Sequence, residues 1–468
     1  MFETLRIQNF KGWKDTGLIR MAPITLFFGA NSSGKSSIGQ FLMMLKQTVE
    51  SQDRKAILYP GGDDSAVQLG SYKDMIYHHD IHNNIIFEYQ WKLKKIFTVV
   101  DRDSDKQLTG NKMSFKSEIG FNEKKGEIIV NNFKYQLVYG EKHVLAVQMS
   151  NKGDKNEYSI KSDEYKLIRK KQRAWALKNI VRFYGFPDEV VAYYQHVDFV
   201  QQLNLAHENL FHSLHYLGPL RTKARRLYTW EGIRPGSVGF SGEHTIPAIL
   251  AAKNRRMNLG FKQPTRSFAE NIAFQLETLK LIEDFKVNPI SEQRQEYEVK
   301  VRSNGSQEMV DLPDVGVGIS QVLPVLVQCF YAPPGSVIIM EQPEIHLHPS
   351  AQSALADVMI GVINAREDSV DRNIQLIIET HSEHFLRRLQ RRIAEETIPQ
   401  EKVAAYVADA ARLPVGMPAR LRELEIDPFG NIRNWPEHFF GDEMGDITGQ
   451  AEAALKRREV IAKCVKNM

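Results

Sequence analysis

Gly29-Ala30-Asn31-Ser32-Ser33-Gly34-Lys35-Ser36 is the stretch that decides how this chain of 468 residues is read. Its spacing is G-x-x-x-x-G-K-[ST], the pattern of a loop whose backbone N–H groups cradle phosphates. Both flanks fit. Ile24-Thr25-Leu26-Phe27-Phe28, just before it, has the β-branched and aromatic composition of a buried strand. Ile38, Phe41, Leu42, Leu45 and Val49, just after it, fall on one face of a helix. A strand, a Gly-rich loop and a helix N-terminus gather N–H groups and the positive end of a helix dipole around an anion. Gly29, Asn31, Ser33, Gly34, Lys35, Ser36 and Ser37 are therefore the expected ATP-binding residues. Lys35 reaches the outer phosphates, and the Ser36 hydroxyl ligates Mg²⁺. A chance match in a Ser/Gly-rich loop would need neither flank.

Working outward, Phe2 to Gln8 reads as a first strand, joined to the 24–28 strand by a connection holding Gly12 and Gly17. Pro60-Gly61-Gly62 breaks the chain after the phosphate-loop helix. Short β-rich runs separated by Lys, Asn, Asp and Gly fill residues 84–150, which predicts an antiparallel sheet with one solvated face. Residues 164–216 and 244–284 carry helical signals, and Glu296 to Val301 reads as a strand. From Val315 the pattern is α/β. Ser336-Val337-Ile338-Ile339-Met340 and Ile374-Gln375-Leu376-Ile377-Ile378 are nearly continuous apolar runs, as in parallel strands buried on both faces. The expected domains are 1–160, an N-terminal lobe; 161–295, a helical insertion; 296–400, a C-terminal lobe; and 401–468, a small C-terminal domain.

Composition excludes several classes. A net charge of +4 gives no general affinity for nucleic acid, so basic clusters must be judged locally. The two cysteines, Cys329 and Cys464, form no metal or redox pattern. No apolar run approaches the length of a membrane span, and no charged-then-apolar leader follows Met1. A cytoplasmic protein is expected, with no membrane partner.

Three further motifs carry chemistry. Glu341 ends the 336–340 strand within Glu341-Gln342-Pro343-Glu344-Ile345-His346-Leu347-His348-Pro349, where an acid can hold Mg²⁺ facing the phosphate loop. Glu379-Thr380-His381-Ser382 ends the next strand, where His381 can hydrogen-bond a γ-phosphate or the attacking water; a plain turn histidine is the alternative. Gly316-Val317-Gly318-Ile319-Ser320-Gln321 precedes a helix and reads either as a phosphate-binding end or as a simple cap. His346 and His348 could suggest a metal, although a turn before Pro349 accounts for them as well.

In this order the motifs resemble the ABC-type AAA ATPases of the OLD, RecF and SMC group, and Ile7-Gln8-Asn9-Phe10-Lys11-Gly12 is similar to their first strand. The likeness is good over residues 1–74 and 310–390. It implies an α/β fold: an ABC-type P-loop ATPase head split in sequence, with antiparallel β and helical insertions. It implies that two heads sandwich ATP, with Gly318 and Ser320 acting on ATP held by Lys35 and Ser36 of the other subunit. It makes His381 the switch histidine, His346 and His348 part of a subunit-contact loop, and Gln68 a candidate Mg²⁺ sensor. The tail around Gly430-Asn431-Ile432-Arg433-Asn434-Trp435-Pro436 and Phe439-Phe440-Gly441-Asp442 resembles a small domain of unknown function attached to many such ATPases.

One departure matters. The group's pattern places a second acid, the general base, directly after the Mg²⁺ acid, and Gln342 stands there. Glu344 or His381 then supplies the function, or turnover is slow and the ATP-bound dimer long-lived; Glu344 equally fits a bracing role. Only 87 residues follow His381, so the nuclease domain of OLD relatives is not expected, and Asp442 and Asp446 form no two-metal cluster. The resemblance implies a regulator in antiphage defence, with a separate effector such as a nuclease. Arg387, Arg388, Arg391 and Arg392, then Arg221, Lys223, Arg225 and Arg226, and Lys166, Arg169, Lys170, Lys171, Arg173 and Lys178 around Trp175, are candidate DNA contacts, solvated faces or salt-bridge partners of the chain's many acids. The alternatives are a DNA-repair ATPase binding DNA directly and a non-hydrolysing ATP-bound scaffold.

Overall fold

The computed structural model describes residues 1–101, 105–153, 157–171, 175–178, 180–291, 294–303, 305–409, 418–435 and 443–466. Arg173, Pro436, Phe439, Phe440, Gly441 and Asp442 lie outside the described residues.

A six-stranded sheet carries the motifs. Its order is Leu214–Leu217, Val337–Glu341, Gln375–Glu379, Ile24–Gly29, Val403–Asp409 and Arg420–Glu423. The first five are parallel to their neighbours and the last pairs antiparallel. The continuous apolar runs follow from burial on both faces. Alternate residues enter different cores: Phe27, Ile339 and Ile377 face one, while Leu26, Ile338, Met340 and Ile378 face the other. The phosphate-loop helix, Lys35–Glu50, packs Ile38, Phe41, Leu42 and Leu45 into the first of these cores.

A nine-stranded antiparallel sheet covers that core. Its strand Phe2–Phe10 lies between Trp13–Asp15 on one side and the 17-residue strand Ile85–Asp101 on the other. Four more strands follow in sequence order to Glu157–Asp163. The alternation along Ile85, Phe87, Tyr89 and Trp91 puts aromatic residues inward and Glu88 and Gln90 outward, as expected for one packed face.

The segment expected as a helical insertion is only partly helical. Helices Asp188–Tyr193, Phe199–His212, Thr245–Ala251 and Phe268–Thr278 lie within it. The described residues of 164–186 are largely irregular, because Tyr165, Leu177, Ile180, Phe183, Tyr184 and Phe186 insert into the aromatic core at no helical spacing. Leu214–Leu217 leaves this segment and joins the parallel sheet. The region expected as a separate C-terminal domain likewise contributes Val403–Asp409 beside the phosphate-loop strand. Both are apolar enough for a central sheet, and their neighbours are distant in sequence. The last described element is a helix, Glu443–Lys466. Among the described residues no helix is long and apolar enough to cross a membrane.

Candidate active site

Strand Ile24–Gly29 delivers the phosphate loop, and Trp13 holds its far end. The Trp13 indole N–H donates to the Gly34 carbonyl at 3.1 Å and to Ser37 Oγ at 2.9 Å. Gly34 sits at φ +93°, and a Cβ there would come within 3.2 Å of the Trp13 ring, so both backbone and space demand glycine. Ser37 Oγ donates to the Gly34 carbonyl at 2.5 Å, so its hydroxyl braces the turn. Lys35 Nζ donates to the carbonyls of Gly29 at 3.0 Å and Ala30 at 2.7 Å, and stands 3.9 Å from Glu379 Oε1. Asn31, Ser33, Gly34, Lys35, Ser36 and Ser37 all line one cleft of about 540 Å³.

Two carboxylates meet behind the loop. Glu341 and Glu379 are paired residues at the C-terminal ends of adjacent parallel strands. Burial pushes the Glu341 carboxyl up to about 7, and repulsion from Glu379 adds to it, while Lys11 and Lys35 oppose. The Tyr216 hydroxyl donates to Glu341 Oε1 at 2.8 Å. Burial also raises Glu379, against the nearby Ser36 hydroxyl and Lys35. Two acids crowded beside a lysine, with Glu379 Oε2 and Ser33 Oγ buried and unbonded, suit a Mg²⁺-bound polyphosphate. Ser36 and Glu341 would hold the cation, and it would neutralise charge on the phosphates. Among the described residues no cluster of three or more His, Cys, Asp or Glu could hold a metal unaided.

The residue after Glu341 is on the cleft wall. Gln342 adopts φ +46°, its N–H donates to the Glu379 carbonyl at 2.8 Å, and it lines the cleft with Glu379 and His381. Burial lowers the His381 pKa, helped by Lys35, so the imidazole is neutral at pH 7. Glu344 is buried, and its Oε1 accepts the His381 backbone N–H at 2.8 Å. Burial raises its pKa against that bond. Glu344 thus ties its loop to the His381 segment, and it does not line the cleft.

Residues 1–196 and 253–386 match the AAA ATPase domain family. The chain belongs to that family. Residues 398–450 match a second family described as a protein of unknown function, DUF3696. No curated protein matches. Similar solved structures include an SMC head bound to the C-winged helix domain of ScpA, at 11% identity and TM-score 0.42, covering 91% of this chain and 98% of that one. The SMC head domain from Thermotoga maritima follows at 9% identity and TM-score 0.39, covering 91% and 99%. An SMC head with an extended coiled coil, bound to the C-terminal domain of ScpA and derived from Pyrococcus furiosus, has 10% identity and TM-score 0.41, covering 91% and 96%.

Other expected residues of this AAA ATPase lie away from the cleft. Gln68 is exposed, and its amide donates to the carbonyls of Gly62 at 3.0 Å and Asp63 at 3.1 Å. A loop closed on itself thus keeps Gln68 off the cleft wall, contrary to its expected place beside Mg²⁺. Gly318 and Ser320 occupy the first turn of helix Val317–Tyr331, and Ser320 Oγ donates to the Val317 carbonyl at 2.8 Å. A Cβ on Gly318 would lie 2.9 Å from the His346 carbonyl, so this turn packs against the 341–349 loop rather than the phosphate loop. His348 caps helix Pro349–Asn364, its ring accepting the Ser350 N–H at 3.3 Å.

The ATPase also uses residues that sequence reading missed or misplaced. Tyr216 and Trp13 carry no motif signal. Arg221, in a basic cluster whose sequence allows DNA contact, solvation or pairing, is only 8% exposed. Its Nη2 donates to the carbonyls of Glu341 at 3.0 Å and Gln342 at 3.3 Å, and burial lowers its pKa to about 10. The arginine face of helix Glu383–Ala394 is internally paired: Arg388 and Arg392 with Asp357, Arg391 with Glu395, Arg387 with Glu383. Arg226 pairs with Asp311 and Asp314. Lys223 and Arg225 are exposed, as are Lys166, Arg169, Lys170, Lys171, Trp175 and Lys178.

Proposed function

We propose that this AAA ATPase binds ATP with Mg²⁺, hydrolyses it slowly and uses the ATP-bound state to hold two or more copies together. The observation that carries the reading is Gln342 on the cleft wall. An amide cannot take the proton of an attacking water, and a general base typically contributes about 10²–10⁴-fold. Glu344, the motif's other acid, is engaged with the His381 N–H. His381 is neutral at pH 7, and in this reading it is the group that accepts a hydrogen bond from the attacking water, while Gln342 orients it. Lys35 binds the outer phosphates, and Ser36 and Glu341 hold Mg²⁺. Gly318 and Ser320 complete the site from a second copy, which fits the packing of their turn against the 341–349 loop of their own chain. The setting is antiphage defence, with a separate effector such as a nuclease; the motif resemblance supports this, and a neighbouring nuclease gene would strengthen it.

Phosphate release and solution mass, measured together, test the core of the proposal. The expected result is turnover well below the usual enzymatic range of about 1–10³ s⁻¹, with a mass increase on adding ATP. Fast turnover with unchanged mass would refute it. A non-hydrolysing scaffold is the second reading, favoured by the same Gln342, and complete absence of phosphate release with retained ATP would select it. Direct DNA binding is less well supported, since the arginine face is paired with Asp357, Glu383 and Glu395; salt-dependent DNA binding by the isolated protein would restore it.

A further inference from the structure

The phosphate-loop cleft continues past Lys11 and Gln40 to Tyr77 and His78. The two rings stack, with centroids 4.0 Å apart and planes 16° from parallel. Phosphate recognition runs on N–H groups and cations and does not call for two rings stacked face to face. Their placement is nonetheless built. Ser71 and Asp74 form a capping box that starts the segment, and Tyr72, Met75 and Ile76 are buried. The Lys11 N–H donates to the Met75 carbonyl at 2.7 Å, and Phe10 pairs with Ile76 as an antiparallel bridge. Residues 75–78 are thereby pinned to the same strand end that leads to Trp13, the residue holding Gly34. His78 takes a left-handed backbone, φ 57° and ψ 18°, uncommon for a residue with a side chain. Neighbouring side chains diverge in regular structure; this residue's conformation lets the two rings lie parallel.

We propose that the Tyr77–His78 stack is the platform for the nucleobase: a purine lies against its π face while the triphosphate reaches the phosphate loop. This rests on the reading of the cleft as an ATP site. Stacking recognises a π face rather than a base edge, so ATP and GTP share the contact.

Calorimetric titration of the full chain with ATP, GTP and inorganic tripolyphosphate, each with Mg²⁺, tests it. A Tyr77→Ala/His78→Ala variant is expected to lose about ten-fold or more in affinity for ATP and GTP, with tripolyphosphate binding unchanged. A Tyr77→Phe/His78→Phe variant, which keeps both π faces, is expected to bind ATP as the wild type does. Wild-type ATP affinity in the alanine variant overturns the proposal. An equal loss for tripolyphosphate also overturns it, since the pair would then only scaffold the loop. Wild-type protein that binds neither ATP nor tripolyphosphate would refute the underlying nucleotide-site reading instead.

Discussion

Replacing Glu341 by Gln should stabilise the nucleotide-free protein while disabling it. The carboxyl moves from its ordinary 4.5 to about 7 on folding, chiefly through burial and then through Glu379. A raised carboxyl pKa means that the folded state keeps the proton over a range where the unfolded chain has released it. Stability is therefore fully present below about 4.5 and is lost as pH rises through about 7. At about 1.4 kcal/mol per ten-fold change in proton affinity, the cost of the ionised form has a ceiling of about 3 kcal/mol. Water entry and relaxation reduce it, so about 1–3 kcal/mol is expected. Glutamine removes the charge and still accepts the Tyr216 hydroxyl, which bonds Oε1 at 2.8 Å. Denaturation of wild type and Glu341→Gln, without Mg²⁺ or nucleotide, is the assay. The variant should be the more stable at pH 8, and the two should converge towards pH 4.5. A variant less stable at pH 8, or an advantage that does not change with pH, would refute this account of the paired carboxylates.

Four further outcomes are expected. Mg²⁺–ATP should bind about ten-fold more weakly at pH 6 than above pH 8, because the cation needs Glu341 ionised; calorimetry in buffers of different ionisation heat should register proton release. Gln342→Glu should raise phosphate release by about 10²-fold or more if the missing base is what slows turnover; an unchanged rate would locate the slow step elsewhere. Arg221→Met should cost about 1–3 kcal/mol, by leaving the buried carbonyls of Glu341 and Gln342 unpaired, and should lower turnover without changing any DNA affinity. Lys35→Ala and Ser320→Arg chains should each lack phosphate release, and mixing them should restore part of it, since one composite site of the mixed dimer keeps both Lys35 and Ser320; no recovery would argue against a site shared between copies.

Much of the fold was legible because its decisive signals are contiguous. The strand before the phosphate loop, the helix after it, and the apolar runs ending at Glu341 and Glu379 each declare themselves within a dozen residues. The helical signals over 244–284 held where burial follows one local period, as in Phe268–Thr278, whose Ser267–Glu270 capping box the structure shows. Those over 164–186 failed, where Phe183, Tyr184 and Phe186 serve an aromatic core at no regular spacing. The basic clusters stayed open between DNA contact, solvated faces and salt bridges for a similar reason. Charge is visible in sequence, but its partner is not, and Asp357 lies 31 residues from Arg388 and 35 from Arg392.

By itself, then, the sequence determined the P-loop pattern and the positions its motifs single out: Lys35, Ser36, Glu341 and His381 in an α/β head, and Gln342 in place of a second acid. Only the tertiary structure decided what surrounds them. Parallel strands are joined by long crossovers that leave no local mark, so Leu214–Leu217 and Val403–Asp409 revealed their places in the sheet only on folding. Tyr216 and Arg221 came with the first of these, 125 and 120 residues from the Glu341 groups they bind. The raised pKa of Glu341 is likewise a property of that packing, since burial and a neighbouring carboxylate, rather than the residue itself, set it.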